Sequence, residues 1–219
     1  MSRSMVVFLL VFAPAFALIL VWLGSQSMHT NLLGWFLILM GVAYLIGGPI
    51  YVWKRKGEAP ARKEEAGDRS FWLVQPGFFF AIFGAPIEYL YLPETLPRAC
   101  FMEIVGLALI TVSVGLISWA RQALRGQFSG HIQIQPEHKL IKNGPYKHIR
   151  NPGYLGYILL ALGISIGFGS LVAFAALVLL LLPGVVYRIL VEEKLLAQGF
   201  GKEYQDYLHK TSRLLPGIW

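Results

Sequence analysis

The sequence predicts an all-α fold, a polytopic bundle of about six transmembrane helices. Hydrophobic residues make up 56% of the 219-residue chain and charged residues only 14%, whereas a soluble domain usually carries about 25% charged residues. The mean hydropathy is +0.57. The apolar residues form runs long enough to cross a hydrocarbon core of about 30 Å, which takes roughly 20 helical residues.

Six segments qualify as spans. The first resembles a signal peptide, but its apolar run is longer than a typical signal sequence and lacks a clear cleavage site, so we predict a retained span. The third contains two prolines and Glu88, and the fifth is short, so one re-entrant segment would leave five full spans. In chain order the predicted spans are Met5–Leu23, Leu32–Trp53, Val74–Leu92, Ala99–Leu124, Pro152–Phe168 and Ser170–Leu190.

The net charge of +7 comes from basic residues in a few connections. Lys and Arg are frequent in 54–70, in 121–150 and after the last span, while 24–31 and 167–170 contain none. By the positive-inside rule, this alternation predicts a multi-pass integral membrane protein with both termini cytoplasmic. The basic loops favour contact with anionic membrane lipid over nucleic acid, because Arg-rich stretches interleaved with exposed aromatic residues are absent.

The chain divides into two predicted regions. Residues 1–124 form N-terminal transmembrane helices with a charged cytoplasmic linker at 54–70, and residues 125–219 form a C-terminal region that holds the polar motifs. Cys100 is the only cysteine, which excludes an intrachain disulfide and a metal site built from cysteines. We therefore predict no metal centre.

A basic, polar segment punctuated by Gly and Pro lies between two apolar runs, at residues 138–156. Polar groups at a membrane face are costly unless they are solvated or paired, so they often mark a site. Pro152 fits the first turn of the fifth helix with Asn151 as its N-cap. The segment also has a purely structural interpretation, in which it starts that helix and Lys147 and Arg150 extend their charged ends to the membrane surface.

The sixth apolar run extends beyond the membrane. As one helix, 170–198 would be about 43 Å long at 1.5 Å per residue, and Gly199 fits its C-terminal stop. Arg188 and Glu192 lie in its last turns and share a face, whereas Glu193 is rotated by about 100°. We expect this polar end to face the segment 138–156.

A short amphipathic helix is predicted in the tail. Tyr204, Tyr207 and Leu208 are spaced three and four residues apart, as on one face of a helix at a membrane interface.

Four motifs follow one another in the C-terminal region. They are H-x-L-[IV]-x-x-G-x-Y at His138–Tyr146, R-H-P-x-Y-x-G at Arg150–Gly156, R-x-x-x-E-E at Arg188–Glu193 and FG-x-E-Y-x-x-Y at Phe200–Tyr207. Their order and spacing resemble the isoprenylcysteine carboxyl methyltransferase and phospholipid methyltransferase superfamily of integral membrane enzymes. The first four spans match that superfamily only as generic hydrophobic helices. One position departs from the pattern, since Asn151 stands where the family usually has His.

The resemblance implies a helical bundle with a cytosol-facing pocket for S-adenosyl-L-methionine near the C-terminal helices. It implies catalytic roles for Arg188 and Glu192, where cofactor and acceptor meet. Asn151 offers a hydrogen-bond donor and an acceptor but no titratable proton, so it suffices if the family's His only holds the cofactor. The cofactor contacts carried over are His138, Lys139, Leu140, Ile141, Tyr146, Asn151, Pro152, Gly153 and Tyr154.

The function implied by the resemblance is methyl transfer from S-adenosylmethionine to a lipophilic or lipidated acceptor. The favoured reaction is carboxyl O-methylation of an isoprenylcysteine-like substrate. A carboxylic acid with a pKa of about 4 is already ionised and needs only a cationic clamp, which Arg188 can provide. An amine acceptor, as in phospholipid N-methylation, must lose a proton, and Glu192 then becomes the candidate base. Thiol methylation at the same site is a further alternative.

Two other classes stay open at the level of sequence. A membrane reductase of the sterol type, which uses NADPH, has a similar R-H-P-x-Y stretch, but the motif at Arg188–Glu193 argues against it. A structural or transport protein with a degenerate site is the third interpretation. Glu88 is the one acidic residue placed where transport would need it.

Overall fold

The fold is all-helical over the residues that the computed structural model describes, which are 13–54, 70–93, 96, 98–124, 140–215 and 217. One isolated parallel bridge joins Ile149 to Ser212. In chain order the helices are α1 (Ala13–Ser27), α2 (Leu33–Lys54), α3 (Ser70–Phe79, Phe80–Gly84 and Ala85–Tyr91 in succession), α4 (Cys100–Leu124), α5 (Pro152–Phe168), α6 (Leu171–Phe200) and α7 (Lys202–Leu208). A 3-10 turn at Gly144–Lys147 precedes α5.

Two of the described helices are long and apolar enough to cross a membrane by themselves. They are α4, with 25 residues, and α6, with 30 residues. Shorter apolar helices occupy Pro14–Ser27, Leu33–Gly47 and Pro152–Phe168. Large apolar side chains are exposed on these helices, among them Leu39, Phe101 and Leu179 at 65–70% of full exposure, as expected for a surface in contact with lipid. The count of six or five spans stays a prediction. Residues 5–12 of the first span and 55–69 of the predicted linker at 54–70 lie outside the described residues.

Helices α5 and α6 form a tight hairpin. Helix α5 has the bounds predicted for the fifth span, and Gly169 ends it in the left-handed conformation, with φ of 59°. Ser170 then caps α6, because its side chain accepts a hydrogen bond from the Ala173 N–H. The reversal therefore takes place over two residues.

Small residues let α4 and α5 approach closely. A Cβ atom at Gly163 would lie 2.8 Å from the carbonyl oxygen of Gly106, and one at Gly106 would lie 2.6 Å from the Cα of Gly167. The Ser113 hydroxyl donates to the Gly156 carbonyl at 2.7 Å. The Gly163–Gly167 pair thus serves close packing of α5 against α4.

Prolines inside α3 and α6 are accommodated by π-helical turns. Such a turn occupies Phe80–Gly84 in α3, just before Pro86, and another occupies Leu177–Leu181 in α6, just before Pro183. Proline lacks an N–H and crowds the carbonyl four residues earlier, and a wider turn relieves both effects. Both helices therefore continue through their prolines and pack together, with Gly77 of α3 against Leu181 of α6.

Glu88 has a structural role in this packing. Its side chain is 1% exposed. It accepts hydrogen bonds from the Leu171 N–H at 3.1 Å, from the Val172 N–H at 2.9 Å and from the Ser170 hydroxyl. The first N–H groups of a helix lack partners within the helix, and a carboxylate there also faces the positive end of the helix dipole. Glu88 therefore caps α6, which explains an acidic residue in an apolar helix.

The end of α6 differs from the prediction. The helix continues through Gly199 to Phe200 and stops at Gly201, whose φ of 53° is accessible to glycine. Helix α7 follows at once, as predicted, but its two tyrosines pack into the protein, since Tyr204 is 1% and Tyr207 6% exposed. At about 1.5 Å per residue α6 is about 45 Å long, so its last turns carry the polar motif beyond the apolar core.

Candidate active site

One hydroxyl group joins the two predicted catalytic residues. The Nε–H of Arg188 donates to the Tyr154 hydroxyl oxygen at 2.7 Å, and that hydroxyl donates to Oε2 of Glu192 at 2.8 Å. Arg188 and Glu192 sit one turn apart on α6, and Tyr154 comes from the first turn of α5. The predicted shared face of the two charged residues is therefore directed at the amino-terminal end of α5.

The charged groups of Arg188 and Glu192 are largely removed from water. Arg188 is only 7% exposed and Glu192 is half-buried. Charges removed from water must be paired and hydrogen-bonded, or their desolvation is not offset. The Tyr154 hydroxyl meets this need for both groups, since it accepts from the cation and donates to the carboxylate.

Tyr146 lies beside this cluster. It belongs to the 3-10 turn that begins at Gly144. Gly144 has a φ of 59°, which favours glycine, and it lies against Trp119. The Tyr207 hydroxyl donates to the Tyr146 carbonyl at 2.6 Å and fixes the turn. Burial, reinforced by the negative charge of Glu192, raises the pKa of Tyr146 above its ordinary value. Its hydroxyl therefore remains protonated at physiological pH.

The other predicted cofactor residues have different positions. His138 and Lys139 lie outside the described residues, and Leu140 and Ile141 are half-buried in the segment before the 3-10 turn. Pro152 is buried at the start of α5, as predicted. A Cβ atom added at Gly153 would meet no described atom within 4 Å, so the first turn of α5 borders open space.

Asn151 occupies the N-cap position of α5, but its side chain makes no capping hydrogen bond. It is 8% exposed, and its Nδ2 donates to the Arg213 carbonyl at 3.1 Å. The residue that departs from the family pattern is therefore bound to the C-terminal tail in this structure.

A second charged cluster, which the sequence did not predict, lies next to this one. Arg150 Nε donates to Oε1 of Glu193 at 3.0 Å, and Arg213 Nε donates to Oε2 of the same residue at 2.9 Å. The Arg150 and Glu193 side chains are each 10% exposed, so the expectation that Arg150 extends to the membrane surface is wrong. The adjacent Glu192 and Glu193 could have indicated this second cluster, because two acidic residues about 100° apart on a helix need separate partners.

These residues fit S-adenosylmethionine. Its sulfonium is a cation, and the half-buried Glu192 carboxylate and the ring faces of Tyr146 and Tyr154 are groups that attract one. The open space at Gly153 leaves room for a ligand against the first turn of α5. The buried guanidinium of Arg188 suits a carboxylate, with which it can form paired hydrogen bonds.

Known proteins resemble this chain over the same region. Residues 101–203 match the phospholipid methyltransferase family. A probable protein-S-isoprenylcysteine O-methyltransferase from Oryza sativa subsp. japonica is 33% identical over 141 residues, covering 64% of this chain and 73% of the rice protein. The protein-S-isoprenylcysteine O-methyltransferase of Schizosaccharomyces pombe is 32% identical over 96 residues, covering 42% of this chain and 41% of that protein.

The fold also matches a solved structure, that of a eukaryotic intramembrane Ras methyltransferase described as an isoprenylcysteine carboxyl methyltransferase. The TM-score is 0.61 at 18% identity, over 96% of this chain and 77% of that chain. This likeness shows the membrane-embedded helical fold, and the rice relative shows the family. The chain therefore belongs to the protein-S-isoprenylcysteine O-methyltransferase family and is an integral membrane methyltransferase.

Proposed function

We propose that this protein methylates the carboxyl group of an isoprenylcysteine-like acceptor with S-adenosylmethionine as the methyl donor. The observation that carries the proposal is the Arg188–Tyr154–Glu192 chain of hydrogen bonds, which holds one cation and one anion at the end of α6. The names of the rice and yeast relatives support the acceptor class.

The charge balance of the region favours an anionic acceptor. Among the described residues, three arginines lie with two glutamates, an excess of one positive charge; they are Arg150, Arg188 and Arg213 with Glu192 and Glu193. Arg188 and Glu192 balance each other, so the excess lies in the neighbouring Arg150–Glu193–Arg213 cluster, where Glu193 is bonded to both arginines. A carboxylate acceptor would complement it, whereas a cationic amine would add to it.

The residues have distinct roles in the proposed reaction. When bound, S-adenosylmethionine would supply an electrophilic methyl group to a carboxylate oxygen of the acceptor and would leave as the neutral thioether. Arg188 holds the acceptor carboxylate, Tyr154 fixes the orientation of Arg188 and Glu192, and Glu192 lies where it can face the donor's positive charge. No proton transfer is required, because the acceptor carboxyl is ionised at neutral pH. The contribution of the protein is therefore alignment and exclusion of water.

The acceptor would reach the site from the bilayer. The prenyl group of the acceptor is as apolar as the exposed side chains of the helices. If the acceptor enters sideways between helices, its prenyl group can therefore stay in the lipid. The soluble donor would enter from the cytoplasm, on the side where the basic loops are predicted.

N-methylation of a phospholipid amine is the second candidate, because residues 101–203 match the phospholipid methyltransferase family. An ammonium group must lose a proton before it can attack a methyl group. Glu192 would be the base that takes that proton. The excess positive charge of the neighbouring Arg150–Glu193–Arg213 cluster disfavours this acceptor.

An acceptor panel separates the two candidates. Purified protein in nanodiscs is given methyl-labelled S-adenosylmethionine with N-acetyl-S-farnesylcysteine, phosphatidylethanolamine or a farnesyl thiol. We expect label in the farnesylcysteine product, released as methanol by alkali because methyl esters are base-labile. Label only in a base-stable amine or thioether product would contradict carboxyl methylation. The Glu192→Gln variant should lose amine methylation fully if Glu192 acts as a base.

A further inference from the structure

We infer that Glu193 is a positioning residue that ties the C-terminal strap, residues 208–215, to the methyl-transfer site and so sets the affinity for the methyl donor. The inference rests on the proposed use of S-adenosylmethionine. It concerns a residue and a segment outside the Arg188–Tyr154–Glu192 chain.

The first observation is the Arg150–Glu193–Arg213 triad. Each Glu193 carboxylate oxygen accepts one hydrogen bond from an arginine Nε, at 3.0 Å from Arg150 and 2.9 Å from Arg213. The Glu193 side chain is 10% exposed, so neither arginine can easily exchange it for water. Removing one charge from a buried cluster leaves the others uncompensated, which is costly.

The second observation is that the strap contacts the segment before α5 through its backbone as well. The Arg150 N–H donates to the Ser212 carbonyl at 2.8 Å, and the Ser212 N–H donates to the His148 carbonyl at 3.1 Å. Nη1 of Arg150 donates to the carbonyls of Leu208, at 3.0 Å, and of Thr211. Residues 148–150 are thus paired with the strap almost as a strand would be.

Side chains complete the attachment of the strap. Asn151 Nδ2 donates to the Arg213 carbonyl, and Leu214 is 7% exposed within the hydrophobic core. The strap therefore contacts the protein on both sides of Arg213, the residue that bonds to Glu193. Its position depends on charge pairing, on backbone pairing and on apolar burial together.

The third observation is the place of the triad in the chain. Glu193 directly follows Glu192 on α6, and Arg150 lies four residues before Tyr154. The triad therefore fixes the register between the two segments that supply the Arg188–Tyr154–Glu192 chain. Because the donor is proposed to bind against the first turn of α5, a shift of that register would weaken donor binding. Glu193 would act through its neighbours, without touching donor or acceptor.

The test compares Glu193→Gln and Glu193→Asp with Glu203→Gln as the matched control. Glu203 pairs with Lys142 at 2.8 Å on the surface, where the two side chains are 56% and 42% exposed, so its loss should change little. The measurements are the Kd of S-adenosylmethionine by calorimetry, kcat with farnesylcysteine, and hydrogen exchange of the amides of 148–154.

We expect Glu193→Gln to weaken binding of S-adenosylmethionine about tenfold, with kcat within about twofold of wild type. Exchange should be faster at 148–154, and Glu193→Asp should recover part of the affinity. Arg213→Met keeps the Arg150–Glu193 pair and should shift Kd in the same direction by less, which covers the case in which Glu193→Gln does not fold.

Three results would overturn the inference. Unchanged Kd and exchange in a variant with lower thermal stability would show a structural role only. A loss of kcat at unchanged Kd would place Glu193 in the reaction itself. Absence of S-adenosylmethionine binding by the wild-type protein would overturn the proposed function, and this inference with it. If the wild-type protein binds S-adenosylmethionine and Glu193→Gln binds it equally well, only this inference is overturned.

Discussion

The Tyr154 hydroxyl donates to Oε2 of Glu192 at 2.8 Å while it accepts from Nε of Arg188 at 2.7 Å. The direction of both bonds is fixed, because a guanidinium can only donate. Glu192 is therefore an acceptor in this chain. The tyrosine that the family motif assigns to the cofactor also organises the two charged residues of α6.

Replacing Tyr154 with Phe removes that hydroxyl and keeps the ring. We expect kcat/KM to fall about ten- to a hundredfold, because Arg188 and Glu192 lose their common partner. Initial rates with labelled S-adenosylmethionine measure the change. Tyr187→Phe is the matched control, since Tyr187 is 51% exposed on the neighbouring position of α6. Equal rates for wild type and Tyr154→Phe would show that the hydroxyl does not organise the site.

Gly153 and Gly163 on α5 should respond differently to replacement with Ala. At Gly153 a Cβ meets no described atom within 4 Å, so stability should hold or rise by about 0.5–1 kcal/mol, while affinity for S-adenosylmethionine falls. At Gly163 a Cβ would lie 2.8 Å from the Gly106 carbonyl oxygen, and the variant should lose about 1–3 kcal/mol of stability.

Thermal unfolding in detergent and calorimetric titration separate the two glycine variants. Donor affinity equal to wild type in a well-folded Gly153→Ala protein would argue that the cofactor does not lie against the first turn of α5.

Glu88→Ala should lower stability and leave the chemistry intact. The variant exposes the Leu171 and Val172 N–H groups to an apolar setting, a loss of about 1–3 kcal/mol for each unsatisfied buried group. Glu103→Ala is the control, because Glu103 accepts from the exposed Leu32 N–H at 3.0 Å. A folded Glu88→Ala protein with normal stability but no methyl transfer would contradict the capping role.

The free energy of unfolding of the protein should fall at high pH, in part because the Tyr207 hydroxyl ionises. Burial raises the pKa of Tyr207 from 10.0 to about 12. Because its folded-state pKa lies above its unfolded value, the stabilisation is complete below pH 10 and is lost as pH rises through about 12. The gap in unfolding temperature between wild type and Tyr207→Phe should shrink over that range. A difference absorbance spectrum that shows Tyr207 ionising near its ordinary pKa would contradict this prediction.

Local signals predicted the helices of the C-terminal region well. Pro152 predicted the start of α5, because proline suits the first turn of a helix. The four-residue spacing of Arg188 and Glu192 predicted their common face. The stop of α6 was placed two residues early, since Gly199 and Gly201 are equally good candidates by residue type and only the backbone distinguishes them.

Contacts between distant parts of the chain could not be predicted in the same way. Glu193 meets Arg213 only because the strap folds back over 148–151, and Glu88 meets Leu171 only because α3 packs at the start of α6. No periodicity in either segment encodes such a pairing. The side-chain contact of Asn151 with the strap likewise depends on tertiary structure, so its exchange for the family's His could not be interpreted from sequence.

The most direct test of the proposed site is the rate of methyl ester formation on N-acetyl-S-farnesylcysteine by wild type and Arg188→Gln. Arg121→Gln, an exposed change at the end of α4, is the control. The proposal predicts alkali-labile product from wild type and Arg121→Gln, and at least about a hundredfold less from Arg188→Gln, which lacks the cationic clamp. Ester formation by Arg188→Gln at the wild-type rate would contradict it.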